Sequence, residues 1–131
     1  MLELKGSDVT VWTYPRATVA YVHDGDTVAA DLDLGFGLKL RQLLRLDGCN
    51  AIELSQPGGL EARTNLTLLL PADGIIAVRI ISLDKYAGRC DAQITLPDGR
   101  DLVTVLIAEQ WAVPWNGLGP KPSPPWPRTV I

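Results

Sequence analysis

The chain predicts a mainly β fold with two to three helices (α+β), organised as one small, curled barrel of five strands. Three observations carry that expectation. Two β-branched stretches are joined through Asp24-Gly25-Asp26, further stretches place apolar residues at every second position, and helical spacing is confined to two short segments. At 131 residues the chain is long enough for one core and too short for two.

Residues 17–23 and 27–34 read as a hairpin with carboxylates at its tip, and Gly25 is expected to supply the positive φ that a tight hairpin turn uses. After Gly35-Phe36-Gly37, alternation resumes over 38–47. Leu38, Leu40, Leu44 and Leu46 share a predicted core face, and Lys39, Arg41 and Arg45 lie opposite. Between residues 57 and 70 the period changes: Ala62, Leu66, Leu69 and Leu70 form one helical stripe, which Pro71 and Asp73-Gly74 stop. Residues 75–83 are almost continuously apolar, the pattern of a strand buried on both faces. A turn at 84–88 follows, and then Cys90, Ala92, Ile94 and Leu96 alternate with polar residues, which turns Arg89 off the core face. Pro97-Asp98-Gly99 makes another turn, and Leu102, Val105 and Leu106 give helical spacing over 102–110. Strand, strand, strand, helix, strand, strand, helix is the element order of an OB-fold barrel. Residues 1–117 form this expected domain, and 118–131 a proline-rich C-terminal tail without regular structure.

Composition narrows the function classes. With 47% hydrophobic and 21% charged residues and no apolar run near ~18 residues, a membrane span is not expected. The first residues carry neither a basic stretch nor a continuous apolar one, so the expectation is a cytoplasmic, monomeric protein. Two cysteines and one histidine provide no zinc-ligand spacing, and Cys49 and Cys90 read as free, buried thiols. A net charge of −3 argues against a broad nucleic-acid platform, because non-specific affinity scales with the phosphates neutralised. Any contact with nucleic acid should be local, and single-stranded substrate is favoured.

Three separated segments read as one site: Asp24-Gly25-Asp26-Thr27, Arg45 through Glu53, and Asp84-Lys85-Tyr86-Ala87-Gly88-Arg89. Oxygen ligands can hold a hard cation such as Ca²⁺, with Mn²⁺ as a possible substitute. A carboxylate can activate water, and two guanidinium groups can hold phosphate oxygens.

In their order and spacing these residues resemble the staphylococcal nuclease (thermonuclease) family over about residues 14–117. The matching motifs are Asp24-Gly25-Asp26-Thr27, Arg45-Leu46 through Glu53, Gly59-Leu60-Glu61-Ala62, and Asp84-Lys85-Tyr86-Ala87-Gly88-Arg89. The resemblance implies an OB-fold endonuclease that hydrolyses DNA, and RNA, with Ca²⁺ and leaves 3′-phosphate ends. By matching position it implies that Asp26, Asn50 and the Ala51 carbonyl ligate calcium, with Asp24 and Glu53 acting through water. It further implies Glu53 as general base, Arg45 and Arg89 as phosphate-binding catalytic residues, and Tyr86 as a contact to a substrate phosphate, and Lys85 beside Tyr86 reads as a further substrate-side contact.

Three departures stand out. Asn50 replaces an aspartate and removes one negative charge, which should weaken calcium binding. Ile52 replaces a proline before Glu53, and Ala87 is an extra residue before Arg89. These keep a second reading open: a catalytically weakened nuclease-like OB module that binds nucleic acid or a protein partner. His23 reads as a strand-end surface residue rather than the base, and Trp111 as core at a helix end. Trp115 and Trp126 read as tail residues packed on the barrel, with base stacking as their alternative.

Overall fold

The computed structural model describes residues 12–83 and 88–122. Five strands close into a barrel in the order β1 (Trp12–Asp24), β2 (Thr27–Gly35), β3 (Leu38–Leu46), β6 (Arg89–Thr95), β5 (Ile75–Leu83), with β5 returning to β1. Every junction is antiparallel except β3 with β6, whose parallel pairing closes the barrel. Two helices, α1 (Gly59–Leu69) and α2 (Leu102–Ala108), complete an OB-fold-like α+β architecture. Among the described residues no helix is long and apolar enough to cross a membrane.

The core forms where inward positions of all five strands meet the two helices. Val19, Val28, Leu44, Leu46, Val78 and Ile94 are fully buried inside the barrel, and Leu66 of α1 and Leu102 and Leu106 of α2 join them. Ala62, Leu66 and Leu70 supply the buried stripe at one end, and Leu69 packs at its margin. The Leu70 N–H closes α1 onto Leu66, and Asp73, at φ 66°, and Gly74 then bond back to Val19 of β1. At α2 the Asp101 carboxylate accepts the Thr104 N–H at 3.0 Å, an N-cap that satisfies an otherwise orphaned donor. Cys49 and Cys90 are free and buried, and burial pushes the Cys49 thiol up to about 12, which keeps it uncharged and unreactive.

Four sequence expectations change. Leu38 and Leu40 share the parity of Leu44 and Leu46 but are exposed, because this end of the β2–β3 hairpin runs past the barrel wall. Ile75–Leu83 is buried on one face only: Ile76, Val78 and Ile80 point inward, whereas Ile75, Arg79 and Leu83 are exposed. Gly25 does not adopt a positive φ. It is required by close approach instead, since a Cβ there would lie 2.9 Å from the Cβ atoms of both Ala51 and Ala62. Finally, Cys49–Ala51 (β4) and Ala112–Pro114 (β7) pair antiparallel as a separate two-stranded ribbon, which three-residue strands do not announce by alternation.

Leu66→Ala should cost about 2–5 kcal/mol in urea denaturation, because Leu66 is wholly enclosed. Phe36→Ala, at a fully exposed hairpin tip, should change stability by no more than about 0.5 kcal/mol.

Candidate active site

The β1–β2 turn, the end of β3, the loop after β4 and the start of β6 converge at one rim of the barrel. Pairing register explains the convergence. Thr27 of β2 lies opposite Arg45 of β3, and the Leu46 N–H donates to the Asp26 carbonyl at 2.8 Å. Across the parallel junction Leu43 lies opposite Arg89 and Arg45 opposite Asp91, so Arg45 and Arg89 are diagonal neighbours on one face. The Gln42 amide donates to the Gly88 carbonyl at 2.6 Å and fixes the backbone just before Arg89. Asp24, Asp26, Thr27, Arg45, Glu53 and Arg89 line a common open pocket of about 420 Å³, with Leu54, Ser55 and Lys121.

Asp26 is the buried acid of this pocket. Its Oδ1 accepts the Thr27 hydroxyl at 3.0 Å and its Oδ2 accepts the Ala51 N–H at 3.2 Å. Arg45 Nη2 stands 3.7 Å from Oδ2, an ion pair too long for a hydrogen bond. Burial first, and then hydrogen bonding to Asp24 and the charge of Asp24, push the Asp26 carboxyl up to about 6, against the opposing pull of Arg45 and the Ala51 N–H. Asp24 itself is half-buried, and its Oδ1 accepts the Asp26 N–H at 3.2 Å.

Nη2 of Arg45 and Oδ1 of Asn50 are buried and have no hydrogen-bond partner among the described residues. Asn50, only 3% exposed, sits on β4 beside Ala51, and its Nδ2 donates to the Pro122 carbonyl at 3.3 Å. An orphaned amide oxygen and a carboxyl destabilised in its charged form are donors that suit a hard cation. The side chains do not form a ready-made cluster: among the described residues no three His, Cys, Asp or Glu side chains gather as a metal-ligating group. A cation here would therefore draw on oxygen donors beyond a carboxylate cluster, of which Asn50 Oδ1 on the adjoining ribbon is one candidate.

Glu53 is exposed and follows β4 in a tight turn. Its N–H donates to Gln56 Oε1 at 3.1 Å and its carbonyl accepts the Gln56 N–H at 2.9 Å, holding the backbone that a proline at Ile52 would otherwise stiffen. Gly59 packs against the Glu53 carbonyl so closely that a Cβ there would collide with it, which fixes the loop to the start of α1. The Glu53 carboxylate accepts Lys121 Nζ at 3.2 Å, and Arg45 stacks 5.3 Å from the centroid of the Trp115 ring.

The structure thus brings together Asp24, Asp26, Arg45, Glu53 and Arg89 at the pocket, with Asn50 and Ala51 on the adjoining ribbon. Lys85 and Tyr86, like Asp84, Ala87 and Trp126, lie outside the described residues. His23 is exposed at the end of β1, and Trp111 packs partly against the core. Sequence reading missed Thr27 as a ligand of Asp26, Gln56 as the brace of Glu53, and Lys121. Gln56 had a faint signal, standing three residues after an acid in a Ser-Gln-Pro turn. Lys121 had none. No protein-family model and no curated protein sequence matches the chain.

The raised Asp26 carboxyl has a pH signature. Between the ordinary value of 3.8 and about 6 the folded protein keeps a proton that the unfolded chain releases, so stability falls as pH rises through that window. In the presence of chelator, wild type should lose about 2 kcal/mol relative to Asp26→Asn between pH 4 and 7, at ~1.36 kcal/mol per pKa unit. Urea melts at each pH would show it, and a pH-independent difference would contradict it.

Proposed function

We propose that this chain is a calcium-dependent phosphodiesterase of the thermonuclease type, hydrolysing DNA and also RNA, single strands preferred, to 3′-phosphate ends. The observation that carries the reading is the partly buried Arg45 guanidinium, whose enclosed Nη2 has no hydrogen-bond partner among the described residues, in a pocket that Glu53 and Arg89 also line. A buried donor without a partner costs about 1–3 kcal/mol, which a small turn of the guanidinium toward a phosphate oxygen in the pocket would recover.

Asp26, Asn50 Oδ1 and the Ala51 carbonyl would hold the cation, with Asp24 acting through water. When bound, calcium would neutralise the carboxylates and polarise the phosphate. The protein groups do the rest. Arg45 and Arg89 take the two non-bridging oxygens and stabilise the charge that grows on them in the transition state. Glu53 accepts a proton from a water molecule, whose oxygen attacks phosphorus as the bond to the 5′ oxygen breaks. The departing 5′ oxygen is protonated from solvent, and the phosphate remains on the 3′ side.

One observation favours the second reading, a nuclease-like module that binds without efficient cleavage. Lys121 pairs with Glu53, and the Asn50 amide is tied to Pro122, so the tail occupies the proposed base and one of the three departures from the family pattern.

Purified protein should degrade denatured DNA in millimolar Ca²⁺. EGTA or Arg89→Ala should abolish cleavage, and Glu53→Gln should lower turnover by about 10² or more with little change in nucleotide affinity. Binding without cleavage by the folded wild type would select the second reading. Asn50→Asp should lower the calcium concentration for half-maximal activity, because an added ligand charge tightens the site. An unchanged requirement would remove Asn50 from the proposed ligand set.

A further inference from the structure

Residues after β7 fold back onto the pocket. The Trp115 N–H donates to the Gly48 carbonyl at 3.0 Å, its indole Nε1 donates to the Leu118 carbonyl at 3.2 Å, and the Leu118 N–H donates to Asn116 Oδ1 at 2.9 Å. Asn50 then holds Pro122 by the 3.3 Å bond to its carbonyl. The loop is thus pinned to β4 and the turn before it at both ends. Pro120 and Pro122 flank Lys121, and their locked φ angles narrow the directions its side chain can take. Nζ of Lys121 lies 5.8 Å from the Trp115 ring centroid, the same ring on which Arg45 stacks, and 3.2 Å from Glu53 Oε1.

Among the described residues, Lys121 brings the pocket's cations to three, with Arg45 and Arg89. A phosphodiester offers only two non-bridging oxygens, which two guanidinium groups already cover. An ammonium has three N–H donors, of which Glu53 takes one. The remaining donors of a half-exposed side chain at the pocket edge are available to a second phosphate.

Resting on the phosphodiesterase reading above, we propose that Lys121 binds the phosphate flanking the scissile one, so that the site reads a polynucleotide backbone rather than an isolated diester. The Trp115 ring and the Asn50–Pro122 bond hold the lysine ready for that contact.

The test compares cleavage of a single-stranded DNA octamer with cleavage of bis(p-nitrophenyl) phosphate, which has no flanking phosphate, at several salt concentrations. Lys121→Met keeps the stem over Trp115 and removes the charge. It should raise KM for the octamer roughly tenfold more than for the small diester, the size of one charge-assisted hydrogen bond. It should act mainly on KM rather than kcat and reduce the salt slope of octamer binding by about 0.7. Lys121→Arg should recover most of the loss. Equal effects on both substrates would overturn the proposal and make Lys121 a positioning residue for Glu53. Faster cleavage by Lys121→Met would overturn it by showing that the lysine obstructs Glu53. If wild type cleaves neither substrate and does not bind the octamer, the phosphodiesterase reading fails and takes this inference with it.

Discussion

The parallel pairing of β3 with β6 is the constraint on which the rest of the molecule depends. It closes the barrel, and it does so in a register that sets Leu44 and Leu46 beside Cys90 and Ala92 on the inside. The same register leaves Arg45 and Arg89 on the other face. A slip of one residue would turn Arg89 inward and Cys90 outward, exchanging every side chain between core and rim. The apolar inner positions therefore fix the separation of two cations that lie 44 residues apart in sequence. Core packing and site geometry are one constraint viewed from opposite faces of the same strands.

The electrostatics of the rim are incomplete in both signs. Asp26 is buried and poorly compensated, with Arg45 just beyond hydrogen-bond distance, and Arg45 Nη2 in turn finds no acceptor among the described residues. A buried pair in imperfect geometry does not recover its desolvation cost. The arrangement would be satisfied by a cation on the carboxylate side together with an anion on the guanidinium side. That pairing is what supports the reading of a metal-assisted phosphodiester site over a structural salt bridge.

The loop after β7 ties the rim to the end of the described chain. Asn50 is the junction, since one end of its amide holds Pro122 while the other meets no hydrogen-bond partner among the described residues. A departure that reads in sequence as a lost ligand charge thus has a structural use. With Asn50 holding the loop, Lys121 enters the pocket and Trp115 carries two cations on one ring. A neutral amide at position 50 and a cation at position 121 both leave the rim less acidic than its carboxylates alone would make it.

The sequence by itself determined the five barrel strands and the first helix, because alternation at period two and the Ala62, Leu66, Leu69 and Leu70 stripe are local signals of which side chains must leave water. It also determined the set of acids and arginines at the rim, since these stand in short, ordered motifs. Tertiary structure alone decided what local signals cannot encode. Leu38 and Leu40 alternate correctly yet are exposed, because a strand longer than the barrel is tall has nothing to pack against at its end. Gly25 is a glycine because Ala51 and Ala62, distant in sequence, crowd its Cα. The β4–β7 ribbon and the place of Lys121 likewise depend on contacts between residues more than sixty positions apart, which arise only when the barrel has closed.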